Sequence, residues 1–231
     1  MTKHLFIAVV FILTSVNLLK AQDEVPEKRF NHYIGVQANP LLRQILSIGN
    51  TPNISNPYLI NYSLNSTKSG WGFHVGFGVD YSMILDNDGI SDRKSEITNI
   101  SSRIGFDKVY SISERWQAGF GVDGIFQTAD NLTTSQIISF DTVTTVSKTG
   151  VLRFGGGLRG FLRYSISKRI LLGTESTIYF NTGNSNISTT ITRREFNFPG
   201  APIITTSSSS KQDLRAITTT IPVAIYLILK F

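Results

Sequence analysis

The side chains with chemical reach are few. The chain has no cysteine, which removes a thiolate nucleophile, a thiolate metal site and a disulfide framework. Beyond the first 21 residues its histidines are His32 and His74. Acyl transfer or deacylation of a lipid would need a hydroxyl with a histidine base in reach. Ser63 and Ser82 are the serines open to such a pair, but no local pattern marks either one. HExxH, P-loop, GxSxG and acidic calcium-loop motifs are missing, and Gly155-Gly156-Gly157 lies inside an alternating segment rather than at a phosphate-binding turn. The expectation is of no catalytic residue, no metal and no cofactor.

The remaining chemistry is that of enclosed charge. His74, Asp80, Arg103, Asp107, Asp123, Arg153, Arg159, Arg163 and Glu175 share a face with the glycines of their segments. Charges that cannot reach bulk water must pair, so Glu175 and Asp123 are expected to take the arginines across a common interior. Such an interior is either a structural plug or a gated path for a small or apolar solute.

The elements that would place these residues are strands. Alternation is strict in Trp71, Phe73, Val75, Phe77, Val79, Tyr81 and Met83 against Gly72, His74, Gly76, Gly78, Asp80 and Ser82. It recurs in Trp116, Phe120, Val122 and Phe126 against Gln117, Gly119, Gly121 and Asp123, and in Leu152, Phe154, Leu158 and Leu162 against Arg153, Gly157, Arg159 and Arg163. Eight strands are predicted, over 32–46, 57–66, 71–85, 94–110, 115–129, 149–164, 169–181 and 213–231. Most exceed the roughly 9–11 residues of a tilted bilayer-crossing strand. A soluble lipocalin-like barrel would show Lys, Glu and Thr to water. Here the polar face is glycine with Arg and Asp, suited to a narrow lumen where small residues leave room for long charged ones. The expected fold is all-β, an eight-stranded antiparallel up-and-down transmembrane barrel; a soluble binding barrel is the alternative.

Composition agrees with a single such domain. The 231 residues are 41% apolar and 16% charged, with 19 glycines. The net charge is +6, and no basic cluster resembles a nucleic-acid footprint, so no nucleic-acid partner is expected. Residues 1–21 have the plan of a cleavable secretory signal: Lys3, an apolar run from Leu5 to Val16, and Ala21 before an acidic stretch. That run is too short to span a bilayer, and residues 22–231 form the barrel domain in this reading.

Connections fix the sides. Short turns are predicted at 67–70, 111–114 and 165–168, and longer loops at about 47–56, 86–93, 130–148 and 182–212. In outer-membrane barrels short turns are periplasmic, which would place both termini there. The turns share a Tyr-Ser opening, extended at 110–115 and 164–169 to Tyr-Ser-Ile-Ser-x-Arg. Tyr62, Trp71, Tyr110, Trp116 and Tyr164 fall on the apolar face near these turns, as a periplasmic aromatic girdle would. The longest loop carries Arg193, Arg194, Phe196 and Phe198, a candidate contact for a protein partner. Pro40 and Pro222, in the first and last strands, lack ladder donors and mark either two bulges or a weakened closing seam.

The last strand alternates through Val223, Ile225, Leu227, Leu229 and Phe231. This resembles the C-terminal assembly signal of bacterial outer-membrane proteins, in which a terminal aromatic closes an alternating strand. With the signal and the loop pattern, the chain resembles a small OmpA/OmpX-type barrel of Bacteroidetes-like bacteria, without a peptidoglycan-binding domain. The resemblance implies residence in the outer-membrane lipid of a Gram-negative envelope and a barrel-assembly machinery that reads the last strand. It leaves three functions open: a non-enzymatic structural or surface-interaction protein, a solute path, or a lipid-modifying enzyme.

Overall fold

The computed structural model describes residues 29–39, 57–138, 141–195, 202–220 and 224–231. The expected signal segment, Pro40, Pro222, Val223, Phe196 and Phe198 lie outside the described residues.

Nine strands are described: β1 (Phe30–Gln37), β2 (Ile60–Ser66), β3 (Trp71–Asn87), β4 (Ser91–Ser111), β5 (Trp116–Ile138), β6 (Asp141–Ser165), β7 (Ile170–Glu195), β8 (Ile204–Thr220) and β9 (Ile225–Lys230). Each of β1 to β8 pairs antiparallel with its neighbours in sequence. β8 and β9 lie one after the other along β7, against Thr177–Arg193 and Ile170–Thr174 respectively. β9 also pairs with β1, which closes the sheet into an up-and-down ring of eight staves. The seam is tied at its lower end, where His32 and Phe231 exchange two backbone hydrogen bonds of 3.1 Å and their rings stack at 5.6 Å. Higher up, the Asn39 side-chain oxygen accepts the Ile225 N–H at 2.6 Å. Ile225, Leu227 and Phe231 point outward and are exposed, with Leu229 on the same face.

Period two decides which face is which. Outward positions carry Trp71, Phe77, Val79 and Tyr81 on β3, Ile100 to Tyr110 on β4, Trp116 to Phe126 on β5, Leu152 to Leu162 on β6, and Ile170 to Phe180 on β7. This exposed apolar belt covers about eleven residues of each of β3 to β7, the reach of a bilayer-crossing strand. Inward positions are polar, charged or glycine. A Cβ on Gly157 would run into the Ile178 carbonyl of β7 and sit 2.8 Å from the Tyr179 ring; one on outward-facing Gly160 would meet nothing within 4 Å. Gly157 is therefore clearance for the backbone and the Tyr179 side chain of the adjacent strand.

The repeated turn motif has a local cause. In the turns after β4 and β6, the hydroxyls of Ser113 and Ser167 accept backbone N–H groups two and three residues on, at 3.4 and 3.2 Å from Arg115 and Trp116 and at 3.3 and 3.1 Å from Arg169 and Ile170. A Ser at this position satisfies donors that the turn would otherwise leave open.

The opposite end corrects the sequence reading. Of the four segments expected as long loops, 47–56 lies outside the described residues and the other three are mostly strand: β3 and β4 meet in a tight turn at 88–90, β5 and β6 run to Ile138 and from Asp141, and β7 reaches Glu195. Gly89 has φ +85°, and the Asp88 carboxylate accepts the N–H groups of Ile90 and Ser91 at 3.0 and 2.6 Å, which holds it below the ordinary carboxylate range. Polar residues sustain these hairpins because Thr and Ser bond across them, as in Ser147–Thr189 at 3.4 Å and Thr190–Ser207 at 3.2 Å, and Thr also favours strands. The 26 residues of β7 extend for roughly 80 Å at strand rise, so the staves continue well past the apolar belt on this side only.

Candidate functional site

The lumen inside the apolar belt is closed by a charged network drawn from five long strands. β4 supplies Arg103 and Asp107, β5 Asp123, β6 Arg159 and Arg163, β7 Glu175, and β3 His74; all are buried. Because each belongs to the inward parity of its strand, the ring brings together residues as distant in sequence as His74 and Glu175.

Arg103 donates to Glu175 at 2.7 Å and to Asn61 at 2.7 Å, with its guanidinium 4.2 Å from the Tyr58 ring centre. Arg159 donates to Asp107 at 2.7 Å and approaches Asp123 at 3.5 Å and Glu175 at 3.7 Å. The carboxylates receive further support: Asn65 donates to Asp107 at 2.5 Å, Tyr179 to Asp123 at 2.6 Å, and Tyr226 to Glu175 at 3.0 Å. The His74 ring lies between Asp107 and Asp123, 3.7 and 3.2 Å from its two nitrogens. The buried arginines Arg103, Arg159 and Arg163 thus equal the buried carboxylates Asp107, Asp123 and Glu175 in number, a balance that a low-dielectric interior requires, and the first two make the ion pairs.

Arg163 is held differently. Its guanidinium sits 4.6 Å over Tyr33 and 4.5 Å over Phe161, whose ring also lies 4.7 Å from Arg159. The stack Arg159–Phe161–Arg163 follows from residues i, i+2 and i+4 of one strand sharing a face. Arg163 also donates to Ser63 at 3.4 Å. Beside it remains a cavity of about 30 Å³, lined by residues including Ser63, His74, Arg163 and Tyr226. That is room for a water or two and for no larger solute.

Two of the nine expected lumen residues stand apart. Asp80 is exposed, three residues beyond Phe77, the last β3 residue paired with β2, and its nearest polar partner is Asn99 at 3.5 Å. Arg153 is half-buried between Gln127 and Gly183 and makes no ion pair among the described residues. Sequence reasoning missed Tyr33, Tyr58, Asn61, Asn65, Phe161, Tyr179 and Tyr226. Their parity was legible, but a tyrosine or asparagine carries no charge to demand an interior partner.

Ser63 and His74 are cross-strand partners, yet both side chains are sealed in the lumen and the two His74 nitrogens face carboxylates. Ser82 lies eight residues up β3, opposite Ile97. Neither serine makes a hydrogen bond to histidine among the described residues.

At the short-turn end Tyr62, Trp71, Tyr110, Trp116 and Tyr164 all point outward. Trp116 packs on Tyr164 at 4.9 Å between ring centres, Tyr110 on Phe120 at 5.9 Å, and the Tyr62 hydroxyl meets His32 Nδ1 at 2.9 Å. At the other end Arg193 is not part of a loop tip. It lies on β7 and is ion-paired with Asp141 across the hairpin, while Arg194 is exposed near the end of the same strand.

Comparison with known proteins adds little to this geometry. No protein-family profile matches the chain, and no curated protein matches it in sequence. Among solved structures, a major outer membrane protein from Thermus thermophilus is similar over 87% of this chain and 98% of its own, at 9% identity and a TM-score of 0.39. The fold is read from this chain's own strand pairing.

Proposed function

We propose that the chain is a non-enzymatic outer-membrane β-barrel whose work is done outside the membrane by its strand hairpins. In this reading residues 1–21 are a cleaved signal, the apolar belt sits in outer-membrane lipid, and the short turns and both ends of the barrel chain are periplasmic. The last strand, with its outward Ile225, Leu227, Leu229 and Phe231, is the segment an assembly machinery would engage.

One observation carries the functional part: the lumen is packed shut by ion pairs and aromatics while the hairpins continue far past the belt. A filled barrel with long polar extensions is built to present a surface, since lumen and hairpin then have separate tasks. The envelope partner would be a protein contacted by the outer parts of β5 to β8.

The test compares the intact chain with one lacking residues 187–210, in which Asn186 and Lys211, already cross-strand partners, are joined through an Asn-Gly turn. Crosslinking and co-purification from native outer membranes should capture a partner with the intact chain only. Equal capture from both, or from neither, would contradict the reading, as would a stable conductance in planar bilayers.

A further inference from the structure

The charges outside the lumen are distributed unevenly between the two ends. Among the described residues the short-turn end carries Arg29, Lys68, Lys108, Arg115, Lys168, Arg169 and Lys230 against Glu114 alone. The hairpin end mixes Asp80, Asp86, Asp88, Asp92, Glu96, Asp130, Asp141 and Asp213 with Arg93, Lys94, Lys148, Arg193, Arg194, Lys211 and Arg215. A one-sided cluster of cations repels itself unless an anionic surface lies against it.

Two of these cations are fixed at the boundary of the apolar belt. Lys108 is on the outward face of β4, directly opposite Trp71 on β3 and Phe120 on β5. Its ammonium lies 5.3 Å from the Trp71 ring and 5.6 Å from the Tyr110 ring, and donates to the Ser69 carbonyl. An ammonium has three donors, and no carboxylate is within ion-pair distance of this one among the described residues. Arg115, in the next turn, donates to the Tyr164 hydroxyl at 3.3 Å, and that ring packs on Trp116. It too lacks a carboxylate partner among the described residues. Lys108 is therefore held by two aromatic rings and Arg115 by a tyrosine hydroxyl, both at the end of the apolar wall and with donors left over.

We propose that this rim binds anionic glycerophospholipid, with Lys108 on its β3 side and Arg115 on its β6 side each taking a headgroup phosphate. The inference rests on the membrane reading above. The ligand is a lipid rather than free phosphate because Lys108 adjoins Phe106 and Phe120 and Arg115 adjoins Trp116, exposed apolar side chains along which acyl chains lie. The girdle rings bracket the headgroup, and the leftover donors of Lys108 and Arg115 supply charge-assisted hydrogen bonds to its oxygens.

The chain itself carries the probe, since its two tryptophans, Trp71 and Trp116, both stand at this rim and are exposed. The protein would be reconstituted in phosphatidylcholine vesicles in which part of the lipid is replaced by dibrominated phosphatidylglycerol or dibrominated phosphatidylcholine, and tryptophan quenching read at low and high salt. The expected result is a preference of about fivefold for phosphatidylglycerol at low salt, shrinking as salt screens the contact. Lys108→Gln with Arg115→Gln should bring the ratio close to one while quenching by brominated phosphatidylcholine persists, and Lys108→Arg should keep the preference. Equal quenching by the two lipids in the unaltered chain would overturn the proposal, as would a preference that survives the double substitution, or one abolished by free phosphate as a competitor. No quenching by either brominated lipid would instead overturn the membrane reading, and this proposal with it.

Discussion

Replacing Glu175 by alanine should lower the unfolding free energy by about 3–5 kcal/mol, the range for breaking a buried ion pair from one side. Glu175 is the acceptor for Arg103 at 2.7 Å and for the Tyr226 hydroxyl at 3.0 Å, and Arg159 stands 3.7 Å away. Its loss leaves three buried guanidinium groups to two carboxylates. The cost is that of a stranded charge, so removing both partners should be far milder. Glu175→Leu combined with Arg103→Met is expected to recover most of the loss, because an apolar replacement of similar volume needs no counter-charge. Urea unfolding of detergent-solubilised protein, followed by tryptophan fluorescence, measures both. An unchanged midpoint in Glu175→Ala would show that water reaches the lumen and that the network is not a sealed plug.

Gly157→Val should abolish formation of the folded barrel, whereas Gly160→Val, three residues on in the same strand, should leave it intact. The two positions face opposite ways. At Gly157 the first side-chain carbon already collides with the backbone of β7, and the carbonyl it meets cannot swing aside as a flexible side chain would. At Gly160 the space is open and faces outward, and valine is a better strand former than glycine. The fraction that keeps folded mobility in unboiled gel samples reports the outcome. Equal folding of the two variants would mean that the inner wall has slack the packing does not show.

These outcomes depend on features that the sequence displays unevenly. The walls were legible where apolar and polar residues alternate, as in Trp71–Met83, because one face is an exposed apolar belt and the other lines a crowded lumen. The same signal fades through Thr142, Thr144, Thr145 and Thr190, where both faces are polar. Those hairpins therefore read as loops although their Ser and Thr residues pair in register. Parity placed His74, Arg103, Asp107, Asp123, Arg159, Arg163 and Glu175 on one face, and the ring brings them together. It led to Glu175 and Asp123 as the carboxylates for the arginines. Arg103 takes Glu175, but Arg159 donates to Asp107 and only approaches Asp123, because partner choice depends on the stagger between staves. Arg159 reaches Asp107 through that stagger, and Arg163 ends on two aromatic rings. Asp80 has the right parity but lies above the enclosed level, a matter of height that alternation does not encode. The turn repeat was visible as a pattern, and its cause, a serine hydroxyl capping two donors, needed the geometry.

The central claim is that an apolar belt of limited height meets lipid while the same strands continue into water. β6 tests it most directly, because the chain has no cysteine and single labels need no background removed. Leu152→Cys, Phe154→Cys, Leu158→Cys and Leu162→Cys place spin labels on the outward face of the belt. Thr142→Cys, Thr144→Cys and Lys148→Cys place them on the same face of the hairpin. In reconstituted vesicles the first four labels should be relaxed by oxygen and shielded from a water-soluble nickel chelate, and the last three should show the reverse. Nickel access at all seven positions would contradict the account and make this a water-soluble barrel.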